Sequence, residues 1–355
     1  MTPYERVMTA LSHRNPDRPP INYSATPELN TKLKKHLGIE DQEALLQFLG
    51  TDIRDVAGRY VGPPHLSGAA GVTAQGTDFL GIKWKPTSYG LGTYNEIAFS
   101  PLAHMKTVKE VEEYSWPRPD WFDMSHLKEE IKRINDKQRY AIRFFAGGAF
   151  ETPWYMRGLD RFLTDLVECP DIAEAISRRV ARFYQERALR ALEAADGQID
   201  IIGSGGDIGT QTGMMLSPAR WRKHIKPYST QLIKPFKEAG CKTFYHSCGS
   251  IVPVIPDLIE MGLDILDPIQ PKAAGMDPVT LKQQFGDRLS FHGGVDVQEL
   301  LPFGTAAQVA AEVTRLIDTL GANGGYIVSS AHALQPDTPI ENVLTLFKTA
   351  QEYRY

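Results

Sequence analysis

Six times between residues 120 and 330 the sequence passes from a helix-like stretch into a short apolar run that ends in glycine or polar residues. The strand-like runs cover 140–145, 199–203, 242–246, 264–267, 289–293 and 325–329. The helix-like stretches cover 121–136, 159–168 with 171–195, 218–239, 251–262, 277–286 and 305–321, and a last one spans 339–352. Helices of this length between successive strands act as crossovers, and crossovers make strands parallel. Further short strands near 20 and 50 bring the count close to eight. The pattern predicts an α/β chain folded as a closed (β/α)8 TIM barrel, with an open doubly wound sheet as second choice.

The chain has 355 residues, an ordinary length for one barrel domain. We read 1–355 as a single domain with a helical extension over about 1–50. An irregular, Gly-, Pro- and aromatic-rich insertion is expected over about 58–104. Hydrophobic residues make up 42% and charged residues 23%, enough for a real core. Lys and Arg number 39 against 43 Asp and Glu, a net charge of −4. That balance gives no basis for nucleic acid as a partner. No run approaches the ~18 apolar residues of a membrane span, and no membrane partner is expected. Three cysteines in a long chain exclude a disulfide framework, and the N-terminus has no signal-type apolar core. A cytoplasmic protein is expected, with room for a homodimer.

In a barrel, functional groups sit at the C-terminal ends of strands. Here those ends carry Glu151, Asp207, His246 with Cys248, Asp267 with Gln270, His292, and His332. Any one of them alone is as readily a loop residue satisfying backbone amides. His246 and Cys248 are the sharpest pair. Side chains two apart on a strand share a face, so an imidazole and a thiolate converge just past the strand end, as zinc ligands do. An isolated His-x-Cys is more often a satisfied histidine beside a small buried cysteine. His332, on a later strand end that a closed barrel brings near, completes a His2Cys set with an open fourth position, the arrangement of a catalytic zinc. Asp207 or Glu151 is placed to fill that position at rest. Cys169 and Cys241 lack ligand spacing and read as structural.

Several blocks give the chain a family likeness. They are LGTD at 49–52, WYMRGLDRFLTDL at 154–166 and GGDIGTQTGMMLSPARWRKHIKPY at 205–228. They continue with HSCGSIVPVIPDLIEMGLDILDPIQ at 246–270, LSFHGGVDVQELLPFGT at 289–305 and HALQPDTPIENV at 332–343. In these the chain resembles the uroporphyrinogen decarboxylase superfamily, which also contains corrinoid-linked, zinc-dependent methyltransferases. The resemblance implies the family's (β/α)8 barrel. It departs from the decarboxylases at the N-terminus. Where they carry an R-Q-A-G-R-Y anchor for substrate carboxylates, this chain reads PPINYSATPEL, and its AGRY at 57–60 follows a different context. The H-S-C-G block resembles the methyltransferase branch, whose third zinc ligand is a later cysteine where this chain has His332.

The resemblance therefore implies a methyltransferase that uses Zn2+ and a corrinoid (cobalamin), the latter on a partner protein. It would act on a small methylated substrate, with a methoxylated aromatic and O-demethylation preferred for the aromatic supply in 58–104 and at Trp154 and Tyr155. Asp207, Glu151 and His292 are the expected catalytic groups. Asp52, Trp154, Tyr155, Arg157, Gln211 and Gln270 are the expected substrate contacts, and His246, Cys248 and His332 the metal ligands. Two alternatives stand beside this reading. One is a metal-free decarboxylase of a tetrapyrrole centred on Asp52, and the other a non-catalytic subunit that binds a corrinoid protein.

Overall fold

The computed structural model describes residues 1–70, 74 and 76–355. Seven parallel strands form one curled sheet in sequence order: β1 (Ile53–Val56), β2 (Ala141–Gly147), β3 (Ile201–Gly205), β4 (Lys242–His246), β5 (Ile265–Ile269), β6 (Ser290–Val295) and β7 (Tyr326–Ser330). The eighth position is held by a short segment at 20–22. Its backbone bonds Val328 of β7 on one side, through Asn22 N and Pro20 O, and Asp52 N on the other, through Ile21 O. The sheet thus closes into a barrel through a single bridge rather than a full strand. Pro19 and Pro20 explain the brevity, since proline donates no ladder hydrogen bond.

The first fifty residues, expected as a helical extension, take part in the barrel itself. The helix Pro3–Ala10 starts at a capping box between Thr2 and Glu5. Its Val7, with Leu11 just beyond, packs against Ile53, Ala141, Ile201, Phe244, Ile265 and Ile327, the inward residues of the strands' lower halves. This apolar layer plugs the bottom and leaves the C-terminal end open. Outside, the long helix Pro170–Ala194 and its neighbours bury the outer faces of the strands. Two predicted single helices are split. The run at 218–239 divides into Pro218–His224 and Lys226–Glu238, with Pro227 at the break. The run at 251–262 begins as a short 3-10 turn at Val252–Val254 before the helix Ile255–Glu260. Proline lacks the donor that would carry a helix through. Within the predicted insertion, Lys83–Ser88 and Thr93–Phe99 pair as an antiparallel hairpin with a register shift between Lys83 and Trp84; positions 71–73 and 75 lie outside the described residues.

No helix among the described residues is long and apolar enough to cross a membrane.

Candidate metal centre

Register sets the site. Parallel pairing places Gly205 of β3 beside His246 of β4, and His246 beside Asp267 of β5. Glycine is required at 205, because a Cβ there would stand 2.6 Å from the His246 carbonyl oxygen and 2.8 Å from its Cβ. Three residues beyond His246, Gly249 adopts φ +81, a conformation that side chains rarely take, and turns the chain back over Thr210. This turn leaves Cys248 Sγ 3.7 Å from His246 Nε2. His332, beyond the end of β7, brings its ring to 6.1 Å from that of His246.

One ligand atom from each of His246, Cys248 and His332 lies within 4.8 Å of the other two. Zinc bonds of about 2.0–2.3 Å in a tetrahedron separate neighbouring ligand atoms by about 3.3–3.7 Å. The three residues are thus grouped closely enough to hold a metal ion, and their mixed imidazole–thiolate chemistry is consistent with zinc. The outer shell fits as well. Asp267 Oδ2 lies 2.6 Å from His246 Nδ1, which turns Nε2 toward the sulfur. A carboxylate behind a ligating histidine is a recurrent feature of metal sites.

Electrostatics follow from this packing. Burial disfavours a charged His246, but the hydrogen bonds to Asp267 and Cys248 outweigh it and hold the ring well above its ordinary value. Burial would raise the Asp267 carboxyl. His292 and His246 overcome that and keep it far below the usual range. Burial pushes the Cys248 thiol up against the pull of His246. Burial of its ring and the neighbouring His246 lower His332, although the residue as a whole is exposed.

Asp207 and Glu151 stand at the same mouth. Asp207 Oδ1 accepts the Cys248 N–H at 2.8 Å and lies 3.6 Å from His246 Nε2. Burial and the Asp207 charge raise the Glu151 carboxyl, while a hydrogen bond from Tyr155 opposes them. His292 is also at the cavity, with both ring nitrogens engaged, by Asp267 and Asn22. Gln270 accepts the Gly249 N–H at 2.8 Å and meets Gln211 at 3.3 Å, so this pair braces the loop after Cys248.

Four expected substrate contacts lie outside the cavity. Asp52 is fully buried and receives Arg6 at 2.6 Å, Arg18 at 2.9 Å and the Ile21 N–H at 2.8 Å. Its charge is spent on closing the barrel. Arg157 is equally buried, paired with Asp165 at 2.7 Å and bonded to the carbonyls of Leu102 and Met105. Trp154 and Tyr155 pack edge-on against each other, and Tyr155 against Trp84; neither lines the cavity.

That cavity, about 200 Å³, is lined by His246 and His332 of the metal set and by Phe244. Arg143 and Phe145 of β2 form its far wall, residues that sequence reasoning passed over. Arg143 is fixed by Asp55, with Nε 2.6 Å from Oδ1, and lies over the Phe244 ring at 4.9 Å. The signal was available, since Ala141, Arg143 and Phe145 alternate onto the inner face of the strand.

The sequence matches the family model described as uroporphyrinogen decarboxylase over residues 95–353, more than two thirds of the chain. The chain belongs to the uroporphyrinogen decarboxylase family. Within that family it is similar to the uroporphyrinogen decarboxylase of Thermus thermophilus, 28% identical over 141 residues, or 39% of this chain and 38% of that enzyme. With the decarboxylase of Trichlorobacter lovleyi the identity is 23% over 67% of this chain and 68% of that one. The methylated-thiol–coenzyme M methyltransferase of Methanosarcina mazei is 26% identical over 39% of this chain and 34% of its own length. A solved structure of a methyltransferase from Methanosarcina mazei superimposes with a TM-score of 0.71 over 99% of both chains, at 18% identity. That likeness establishes a common barrel fold of the uroporphyrinogen decarboxylase type.

Proposed function

We propose that this member of the family is a zinc-dependent methyltransferase that moves a methyl group between a small methylated substrate and a corrinoid carried by a separate protein. The observation that carries this reading is the convergence of His246, Cys248 and His332 at the barrel mouth, backed by Asp267. The methylated-thiol activity of the Methanosarcina relative points the same way.

Zn2+ held by these three residues would supply Lewis acidity toward a thiol or ether group in the open fourth position. The protein's own groups do the rest. Phe145 and Phe244 give the substrate an apolar wall. Arg143, immobilised by Asp55, offers a fixed donor at the far end. Asp207, 3.6 Å from His246 Nε2, and Glu151, whose carboxyl is raised by burial and by the Asp207 charge, would exchange a proton with a substrate sulfur or oxygen. A cavity of about 200 Å³ lies below the range of about 300–1,000 Å³ for drug-sized ligands. It suits a small substrate, while a corrinoid or a tetrapyrrole would have to stay outside. The packing of Trp154 and Tyr155 outside the cavity weakens the aromatic support for a methoxylated aromatic, and the proposed substrate class covers both thioethers and small ethers.

The test is methyl transfer to a reduced Co(I) corrinoid from a panel of methylated thiols and methoxylated aromatics, followed by the absorbance of methylcobalt. Activity that disappears with a chelator and returns with Zn2+ is expected. Chelator-resistant conversion of uroporphyrinogen to coproporphyrinogen would overturn the reading in favour of decarboxylation.

A further inference from the structure

Two histidines share one carboxylate beneath the metal set. Asp267 is 8% exposed, and each of its oxygens serves a different ring: Oδ2 takes His246 Nδ1, and Oδ1 takes His292 Nδ1. The His292 ring is occupied on its other side as well, with Asn22 Nδ2 3.0 Å from Nε2. An amide nitrogen can only donate, so Nε2 accepts and the ring proton sits on Nδ1, facing Asp267. Phe244 packs against the His292 ring at 5.3 Å. His292 therefore has neither a lone pair nor a proton left for a substrate or a metal. His246 differs, because its Nε2 is directed to Cys248 and His332.

We infer that Asn22, His292 and Asp267 form a positioning relay that fixes the ring plane of His246 and ties it to the seam where the barrel closes. The inference rests on the metal reading of His246, Cys248 and His332. Terminal torsions of histidine, aspartate and asparagine side chains are broad, so one hydrogen bond alone leaves each free to swing. Here His246, Asp267 and His292 are each held at two points, and Asn22 is anchored through its backbone. Asp267 orients His246, His292 locks the second oxygen of Asp267, and Asn22 locks His292. Asn22 itself lies on the segment bonded to Val328 and next to the Ile21–Asp52 bond. Because Asp267 divides its charge between two rings, its support of His246 as a donor depends on His292. His292 is then a positioning residue and not a catalytic one.

Zinc affinity, measured by competition with a chromophoric chelator, tests the relay in wild type, Asp267→Asn, His292→Gln and Asn22→Ala. Loss of an outer-shell carboxylate typically weakens metal binding about 10–100-fold, and that is the loss expected for Asp267→Asn. Smaller losses in the same direction are expected for the other two. In the Co2+-loaded proteins the d–d bands should shift while the thiolate charge-transfer band persists, because Cys248 is untouched. A merely structural role would lower the melting temperature and leave affinity and spectrum unchanged, which would overturn the inference. If Asp267→Asn does not fold, Asn22→Ala carries the test alone, and wild-type affinity in that variant overturns the relay. A wild type that binds neither metal defeats the metal reading itself, a result distinct from tight and equal binding in all four proteins.

Discussion

Cys248 Sγ lies 3.7 Å from His246 Nε2, a thiol and an imidazole facing each other without intervening protein atoms. In the metal-free protein both groups favour their protonated forms. Hydrogen bonding raises His246 above its ordinary value despite burial, and burial raises Cys248. Zinc takes both ligands deprotonated. Binding at neutral pH should therefore release one proton from His246 and one from Cys248, and affinity should climb with pH until both have titrated. Calorimetry of Zn2+ binding in buffers of different ionisation enthalpy counts those protons. Binding without net release would contradict the geometry.

Asp207 should matter more for turnover than for stability. Its carboxylate is about one third exposed and accepts the Cys248 N–H, 3.6 Å from His246 Nε2. Asp207→Asn keeps an acceptor oxygen but removes the charge beside His246. We expect at least a tenfold fall in kcat, with less than about 1 kcal/mol lost from folding, as for substitutions outside the core. A large drop in melting temperature with intact turnover would make Asp207 a structural cap.

Arg157 should behave in the opposite way. It is buried against Asp165, and breaking a buried ion pair costs about 3–5 kcal/mol. Arg161, 3.2 Å from the same carboxylate, offsets part of that. Arg157→Ala should lose about 3 kcal/mol, or about 6–10 °C in melting temperature, while zinc content per folded chain stays at the wild-type level. A zinc-free but equally stable variant would return Arg157 to the active site.

Much of this molecule is legible in its sequence, for identifiable reasons. Strand and helix alternate because apolar runs and amphipathic stretches have different periods, and the barrel follows from parallel crossovers. His246, Cys248 and His332 are readable because period two and strand ends place them. What fails to be readable is partnership across distance. Asp52 looks like a cavity charge until Arg6 and Arg18, far away in sequence, are seen to enclose it. Asp267 is visible as a strand-end carboxylate, but its two histidines depend on the register of β4, β5 and β6 and on the turn of the chain at Gly293. Arg143 hides in a run that reads as buried strand, and only closure of the barrel turns its inner face into a cavity wall. The segment near 20 is legible as a strand, but its reduction to a single bridge with Val328 is not.

Zinc content tests the central claim most directly. Wild-type protein and Cys248→Ala are purified side by side without added chelator, and metal per chain is measured by mass spectrometry, with circular dichroism to confirm that both are folded. One zinc per wild-type chain and essentially none in the folded variant is the predicted result. A wild type without metal, or full zinc occupancy in Cys248→Ala, would contradict a metal centre at His246, Cys248 and His332.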